Sequence, residues 1–385
     1  MRILLVNRHF HSTQIPTARM LRDVVDQLQA DGQEVVVLTS RSNYVELAER
    51  SGLTSGGGVF HIPMLQERFR LLNWLLFLLC ANMIVPLLRW DRCVLLTDPP
   101  FLVMVALLVR VFHWKPRKVF WWTMDLYPEA LVARGMLKPD RWPDRLFRAV
   151  NEIALRCLSG IVCLGECQLQ RLSSYRNWRC VAANTCIVPP WDNRDIRQVD
   201  RHSNRVLRQL DLQGQRVALY AGNLGEAHQF RRIVEAARLA AMDEKSRWVF
   251  VFAVRGGKAR CLADAVQGLP NVRICEYFPE DWTADLLWAA EVHLITMEQG
   301  WEGVVVPSKL YAAIKTGAPI VFIGPENSDT AREIALHGLG RVLPVDVDGR
   351  VVLDTLNGIL QEPGRLEPRR LEGGERQVAG FVTAK

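Results

Sequence analysis

Short unbroken apolar runs alternate along the chain with segments of helical period. Residues 3–6 (Ile-Leu-Leu-Val) form such a run, and residues 18–30 then place apolar side chains at helical spacing up to Asp31-Gly32. Residues 34–39 follow as a second run built on Val35-Val36-Val37-Leu38. This order predicts a strand, a helix and a parallel strand. Strands that are apolar throughout are covered on both faces, and sheets of that kind bind ligands at the carboxyl ends of their strands. Residues 93–96 and 118–122 repeat the strand pattern, and residues 161–164 are the last clear strand of this half. A polar, arginine-bearing stretch over residues 192–204 has no apolar period and reads as a linker. The pattern restarts after it, with strands expected at 216–221, 248–254, 272–275, 292–296 and 319–323. Helices are expected at 230–241 and at 309–316, the latter opened by Pro307-Ser308.

A chain of 385 residues is long for one α/β domain and comfortable for two. The expected organisation is therefore a Rossmann-like domain over residues 1–195, a second over 196–361, and a tail over 362–385. The tail has little periodicity and is expected to be partly disordered. Its 49% hydrophobic and 23% charged residues are values of a globular protein.

Charge changes this picture once it is divided. The net charge of +7 lies wholly in residues 1–195, and the remainder is neutral. Such a basic half fits an anionic partner, either lipid or nucleic acid. Nucleic acid is set aside because no known recognition module or aromatic interleaving accompanies the basic residues. Residues 71–88 carry no charge and are flanked by Arg68, Arg70, Arg89 and Arg92. They reach the lower length of a membrane span, but Asn73, Asn82 and Pro86 interrupt them and the next strand must rejoin the first sheet. The reading is a helix that touches a membrane surface with Trp74 and Trp90 as interfacial anchors, or an ordinary core helix. Nine cysteines without a second close pair favour a reducing compartment and no zinc. The opening strand is too short for a signal peptide, so a cytoplasmic protein is expected, peripheral at the inner face of the cytoplasmic membrane.

The chemistry gathers at predicted strand ends. In Glu302-Gly303-Val304-Val305-Val306-Pro307-Ser308-Lys309 an acidic residue and a glycine precede a turn, and Pro307 opens a helix whose free N–H groups would face an anion. Lys309 sits in that first turn, where a helix dipole would disfavour a cation, and a bound diphosphate would account for it. Tyr220-Ala221-Gly222-Asn223-Leu224-Gly225 and Val254-Arg255-Gly256-Gly257-Lys258 follow two more strands, with glycines that admit close approach to a ligand. In the first half, Asp125 of Thr123-Met124-Asp125-Leu126-Tyr127-Pro128-Glu129 could orient an acceptor hydroxyl or take its proton, and serves equally well as a helix cap. His9 and His11 could line the same side or be plain loop residues. Asp346-x-Asp348 imitates a metal-binding pair but reads as a turn. Neither a dinucleotide fingerprint nor a Walker sequence is present.

Together these motifs resemble the retaining glycosyltransferase family 4, of GT-B fold, and especially its bacterial members that build O-antigen and capsule repeats. The resemblance runs from Met1 to about Pro344. It is carried by Arg41-Ser42-Asn43-Tyr44, Leu96-Thr97-Asp98-Pro99-Pro100, Asp125-Leu126-Tyr127-Pro128-Glu129, Tyr220 to Gly225, Glu302-Gly303 with Pro307-Ser308-Lys309-Leu310-Tyr311, and Phe322-Ile323-Gly324-Pro325. It implies two Rossmann-like domains with parallel sheets facing a central cleft, and metal-independent transfer with retention from a nucleotide sugar, with UDP as the expected carrier. The acceptor would be a polyprenyl-linked or polysaccharide precursor. Gly222 and Asn223 would lie near the diphosphate, Arg255 and Lys309 on its charge, Tyr277 or Phe278 near the base and Glu302 at the sugar. Gly303, Val304, Val305 and Ser308 would complete the donor site, and His9, His11 and Glu129 would lie on the acceptor side. Glu302, Lys309 and Asp125 are the expected catalytic residues, with no metal and no cofactor. The chain departs from the family in having Ala312 where many members place a ribose-binding glutamate. It also has Glu226 and His228 where basic residues are usual, and little trace of the family's terminal helix. These departures keep two alternatives in view, a nucleotide-sugar epimerase or hydrolase on the same fold and a non-catalytic nucleotide-sugar-binding subunit.

Overall fold

The computed structural model describes residues 1–12, 15–41, 58–112, 117–275, 278–359, 366–369 and 373–385. It divides into two units, the first comprising Met1–Pro190, Gly303–Val305 and Gly373–Lys385, the second Trp191–Glu302 and Val306–Glu372.

The first unit is a seven-stranded sheet of β1 (Arg2–Val6), β2 (Glu34–Ser40), β3 (Gly58–Ile62), β4 (Arg92–Leu95), β5 (Lys118–Trp122), β6 (Gly160–Cys163) and β7 (Thr185–Ile187). Their order is β3-β2-β1-β4-β5-β6-β7, and every pairing is parallel. Leu5 of β1 stands opposite both Val37 of β2 and Val94 of β4, so the central strand is flanked by apolar strands on both sides. The two strands that sequence reading passed over, β3 and β7, are the edges, where burial is incomplete and the apolar run is broken. One face of the sheet is covered by helices Arg70–Ile84, Val105–Phe112 and Trp142–Leu155, whose Phe77, Val109 and Leu155 share a core cluster with Leu4, Leu95 and Trp121. Helix Pro16–Ala30 buries Leu21, Val24, Val25 and Leu28 at the three-to-four-residue spacing read from the sequence.

Three expectations change in this unit. Trp90 is no interfacial anchor: it is 5% exposed in the core, its indole N–H donates to the Val85 carbonyl (2.9 Å), and the Arg117 guanidinium lies over its ring. Residues 71–88 form helix Arg70–Ile84 and a tight turn Val85–Leu87, buried on one side and open on the other, with apolar residues on both. The tail expected to lack order carries helix Gly374–Ala384, which buries Val378, Ala379 and Val382 in the first unit and sets Phe381 edge-on to Phe120. Its signal is weak in sequence because glycine and alanine stand at several of its positions. Arg92 and Lys118 donate to the carbonyls of Val382 and Lys385 and hold its last turn.

The second unit is a six-stranded parallel sheet of β8 (Arg216–Asn223), β9 (Trp248–Arg255), β10 (Val272–Cys275), β11 (Val292–Thr296), β12 (Ile320–Ile323) and β13 (Gly340–Leu343). The order is β10-β9-β8-β11-β12-β13. Its fully buried Trp248, Phe250, Phe252 and Tyr220 make an aromatic core with Ile233, Ala237, Val352 and Leu356 of the covering helices. In both sheets strand order reverses beside the first strand, between β1 and β4 and between β8 and β11. Parallel sheets open a ligand crevice at such a reversal, beyond the carboxyl ends of the strands.

Candidate functional site

In the second unit, β8 runs two residues further than its apolar pattern suggests and carries Gly222 and Asn223 to the sheet edge beside Val254 and Arg255 of β9. Gly222 has φ 125°, and a Cβ there would meet Lys309 Cε at 3.5 Å. Lys309 extends over this end of β8. Its ammonium donates to the Tyr220 hydroxyl (2.6 Å) and to the Asn223 carbonyl (3.3 Å) and lies 4.1 Å from the centroid of the Tyr220 ring. Desolvation by these neighbours lowers the Lys309 ammonium from its ordinary range to about 7. The sequence therefore placed Gly222, Asn223 and Lys309 correctly as a group, although they lie almost ninety residues apart.

The next loop closes on the first. Gly256 has φ 118°, and a Cβ on it would collide with Asn223 Oδ1 and with the Leu224 carbonyl. The Leu224 N–H donates to the Arg255 carbonyl (2.6 Å), and Lys258 Nζ donates to the carbonyls of His228 (2.7 Å) and Glu226 (3.1 Å). Lys258, absent from the expected site residues, is thus a tie between the two loops, while Arg255 is exposed at the strand end. Gly256→Ala is expected to destabilise the protein by about 3 kcal/mol through backbone strain and overpacking. It should also abolish nucleotide binding. A denaturant titration read beside nucleotide calorimetry checks both, and unchanged binding would mean the turn is not part of the site.

His228 stands where the family is usually basic. It is buried, and desolvation first, then the charges of Lys309 and Lys258, hold its imidazole down to about 3. Its Nδ1 lies 2.5 Å from the Thr296 carbonyl, which can only accept, so Nδ1 carries the proton of a neutral ring. The position adds no positive charge.

The helix after Pro307 is shorter than expected. It comprises Lys309–Ala313, followed by a tighter turn Ile314–Thr316. Ser308 is its cap with φ −62° and no side-chain capping bond, so Pro307 lies outside the helix rather than in its first turn. Gly303, Val304 and Val305 also differ from the donor role expected of them, because they pack within the first unit. Gly303 has φ 71° and lies where a Cβ would strike the Cys167 carbonyl, and the Val304 carbonyl accepts the Leu126 N–H (3.2 Å). Glu302, half-buried, is the last residue of the second unit before that excursion. Phe278 stacks on Trp282 (6.1 Å between centroids) and packs against the cluster of Val206 and Leu219. Tyr277 and residues 42–44 of the Arg41 motif lie outside the described residues.

In the first unit the reversal between β1 and β4 brings Arg8 and His9 against Asp98. Arg8 makes a two-pronged pair with the carboxylate (3.0 and 3.1 Å), and His9 Nε2 lies 3.1 Å from Oδ2. Burial acts to raise the Asp98 carboxyl, but the His9 hydrogen bond and the Arg8 charge outweigh it and bring it down to about 2. The Arg8 carbonyl accepts from Thr39, from the Ser40 hydroxyl and from the Ser40 N–H, which fixes the loop. Asp125, at the end of β5, is exposed at its side chain and receives support at its backbone, whose N–H donates to the Thr97 hydroxyl (3.0 Å). Desolvation first and the Asp98 charge second push its carboxyl up to about 6. Two neighbouring carboxylates driven apart in acidity mark an acid–base site. Asp98 and Arg8 were missed as site residues because ninety positions separate them and neither signals the other.

His11 Nε2 lies 2.9 Å from His61 Nε2 with the rings stacked, so it joins β3 rather than the Asp98 group. Glu129 is corrected to a structural residue. It is 4% exposed, and its Oε1 accepts from Arg148 (2.9 Å) and from the Tyr175 hydroxyl (2.7 Å). Asp348 accepts from the Arg350 N–H (2.6 Å) at the start of helix Gly349–Ile359, the turn expected of it.

Two Rossmann-like parallel units with ligand-ready reversal points define an α/β protein of GT-B type. The solved structure of WaaG, a glycosyltransferase involved in lipopolysaccharide biosynthesis, shares this fold with a TM-score of 0.71 at 15% identity, covering 100% of both chains. In sequence the chain is similar to the probable glycosyltransferase WbjE of Pseudomonas aeruginosa, 26% identical over 263 residues. It is also similar to the putative colanic acid biosynthesis glycosyl transferase WcaI of Escherichia coli K12, 31% identical over 147 residues. These alignments take in 63% and 36% of this chain and span 60% of WbjE and 35% of WcaI. No family model matches.

Proposed function

We propose that this protein is a glycosyltransferase of surface-polysaccharide assembly. In this reading it moves a sugar, with retention, from a nucleoside diphosphate, with UDP the favoured carrier, to a lipid-linked saccharide. The observation that carries the reading is the Lys309 ammonium held over Gly222 and Asn223 at the end of β8. A cation in a desolvated pocket beside a glycine-lined strand end suits a pyrophosphate, and its charge would stabilise that group as it departs. The likeness to WbjE and WcaI supports the same reaction class.

In the reaction the bond between the anomeric carbon and the diphosphate oxygen breaks, and the acceptor oxygen bonds to that carbon on the same face. The acceptor proton passes to the departing phosphate. Asp125, ionised, orients the acceptor hydroxyl, and the Arg8–Asp98–His9 group fixes the surrounding backbone. Lys309 and Arg255 supply the positive charge, and no metal ion is assigned a role. The acceptor's lipid places the enzyme at the inner face of the cytoplasmic membrane, approached through helix Arg70–Ile84.

A thermal-shift panel of nucleoside diphosphates and their sugars tests the donor. A ligand present at a hundred times its Kd should stabilise the fold by about 2.7 kcal/mol. Product analysis then decides the reaction. Nucleotide release that requires a lipid-linked saccharide supports transfer, whereas an epimerised donor or free sugar formed from donor alone overturns it.

A further inference from the structure

The outward surface of the helical layer on the first sheet is apolar where solvent should have selected polar residues. Helix Arg70–Ile84 buries Phe77 and Ala81 yet turns Leu71, Leu75, Leu79 and Met83 outward, the last 71% exposed. It packs on helix Val105–Phe112, which ends in exposed Val111 and Phe112. That helix packs in turn on Trp142–Leu155, where Trp142 (76% exposed), Leu146 and Ile153 make a second outward stripe. Because the inner residues of all three helices enter one core cluster, their outer residues share one side of the unit. Monomeric proteins seldom show large side chains in such number on a single surface unless it binds something.

Charge selects the occupant. Exposed Arg68, Arg89, Arg110, Arg141, Arg145 and Arg156 flank or intersperse the apolar positions. The three helices contain two acidic residues, Asp144, which is buried against Arg148, and Glu152, whose carboxylate accepts the Arg176 N–H. No helix among the described residues is long and apolar enough to cross a bilayer. Apolar side chains beside guanidinium groups suit an interface of acyl chains below and phosphate headgroups above.

We infer that these three helices form one docking panel for an anionic lipid bilayer, with Trp142 and Phe112 inserted at the headgroup boundary. The panel extends well beyond the single helix that the sequence singled out. It deepens the lipid-linked reading of the acceptor and rests on it for its purpose, but its geometry stands on the first unit alone.

The full chain is tested by co-sedimentation with vesicles of phosphatidylcholine, with and without about 30% phosphatidylglycerol. Binding should be at least about tenfold stronger with the anionic lipid and should weaken as salt rises. Leu146→Ser with Ile153→Ser, which alters only exposed positions of the third helix, should reduce partitioning about tenfold or more without lowering the melting temperature. Leu75→Ser with Leu79→Ser should do the same. Wild-type partitioning of the Leu146/Ile153 variant overturns the panel, as does equal binding to both vesicles. A stable dimer that these substitutions dissociate would also overturn it, by giving the surface to a second copy. Transfer to a detergent-solubilised acceptor is measured alongside. Loss of vesicle binding with transfer intact sinks the panel, and vesicle binding without transfer upholds the panel while sinking the proposed reaction.

Discussion

Lys309→Ala lowers kcat/KM for sugar transfer by roughly 10²–10³-fold, the usual effect of removing one positioned donor from a developing negative charge. The loss should fall on nucleotide release and on nucleotide affinity together, because the same ammonium meets the diphosphate before and after bond cleavage. Its titration gives a sharper check. Desolvation sets the free lysine near 7, and a bound diphosphate returns it toward its ordinary range. Nucleoside diphosphate binding should then take up a proton above pH 7, and its Kd should rise about tenfold per pH unit until the pKa of the complex is reached. Calorimetry in buffers of different ionisation enthalpy reads this directly. Lys309→Met should abolish the uptake, and a pH-independent Kd would remove Lys309 from the phosphate site. For folding, the same depressed lysine has the opposite leaning. Between about 7 and its unfolded value the unfolded chain binds the extra proton, so stability rises with pH across that window, and the cost is fully present below it.

Asp125→Asn is the second large effect, an expected fall of about 10²-fold in turnover with unchanged donor affinity, since the acceptor hydroxyl loses its ionised partner. The carboxyl is raised to about 6, so wild-type turnover should decline as pH falls through 6, where protonation removes the acceptor of the hydrogen bond. Asp98→Asn should move that acidic limb to lower pH, because the Asp98 charge is part of what raises Asp125. A pH–rate profile that keeps its limb near 6 in both variants would assign the limb to another group. Folding responds with its own sign. A carboxyl raised in the folded state binds a proton that the unfolded chain has already lost, so Asp125 costs stability as pH rises from its unfolded value through 6.

The difference between these two residues and Glu129 shows how far sequence reasoning reaches. All three were carboxyl or ammonium groups near the ends of predicted strands, and local pattern treated them alike. Lys309 meets Tyr220 and Asn223, Asp125 remains open to solvent beside Asp98, and Glu129 turns inward to Arg148 and Tyr175. A sequence spaces residues along a strand or helix, but it does not state which distant side chain stands opposite. For the same reason Trp90 read as an anchor and proved to be core, while Trp142 was unremarked and proved exposed.

What the sequence determined by itself was the α/β class, the two parallel sheets, most of their strands and the grouping of Gly222, Asn223 and Lys309. Each follows from periodicity and from the rule that parallel strands are apolar throughout and end in ligand-binding loops, both properties of short segments. The tertiary structure alone decided the edge strands β3 and β7, the helix Gly374–Ala384 lying in the first unit, the passage of Gly303–Val305 into that unit, and the pairing of Arg8 with Asp98. These are contacts between positions tens to hundreds of residues apart, and their free energy depends on burial and charge created only when the chain is folded.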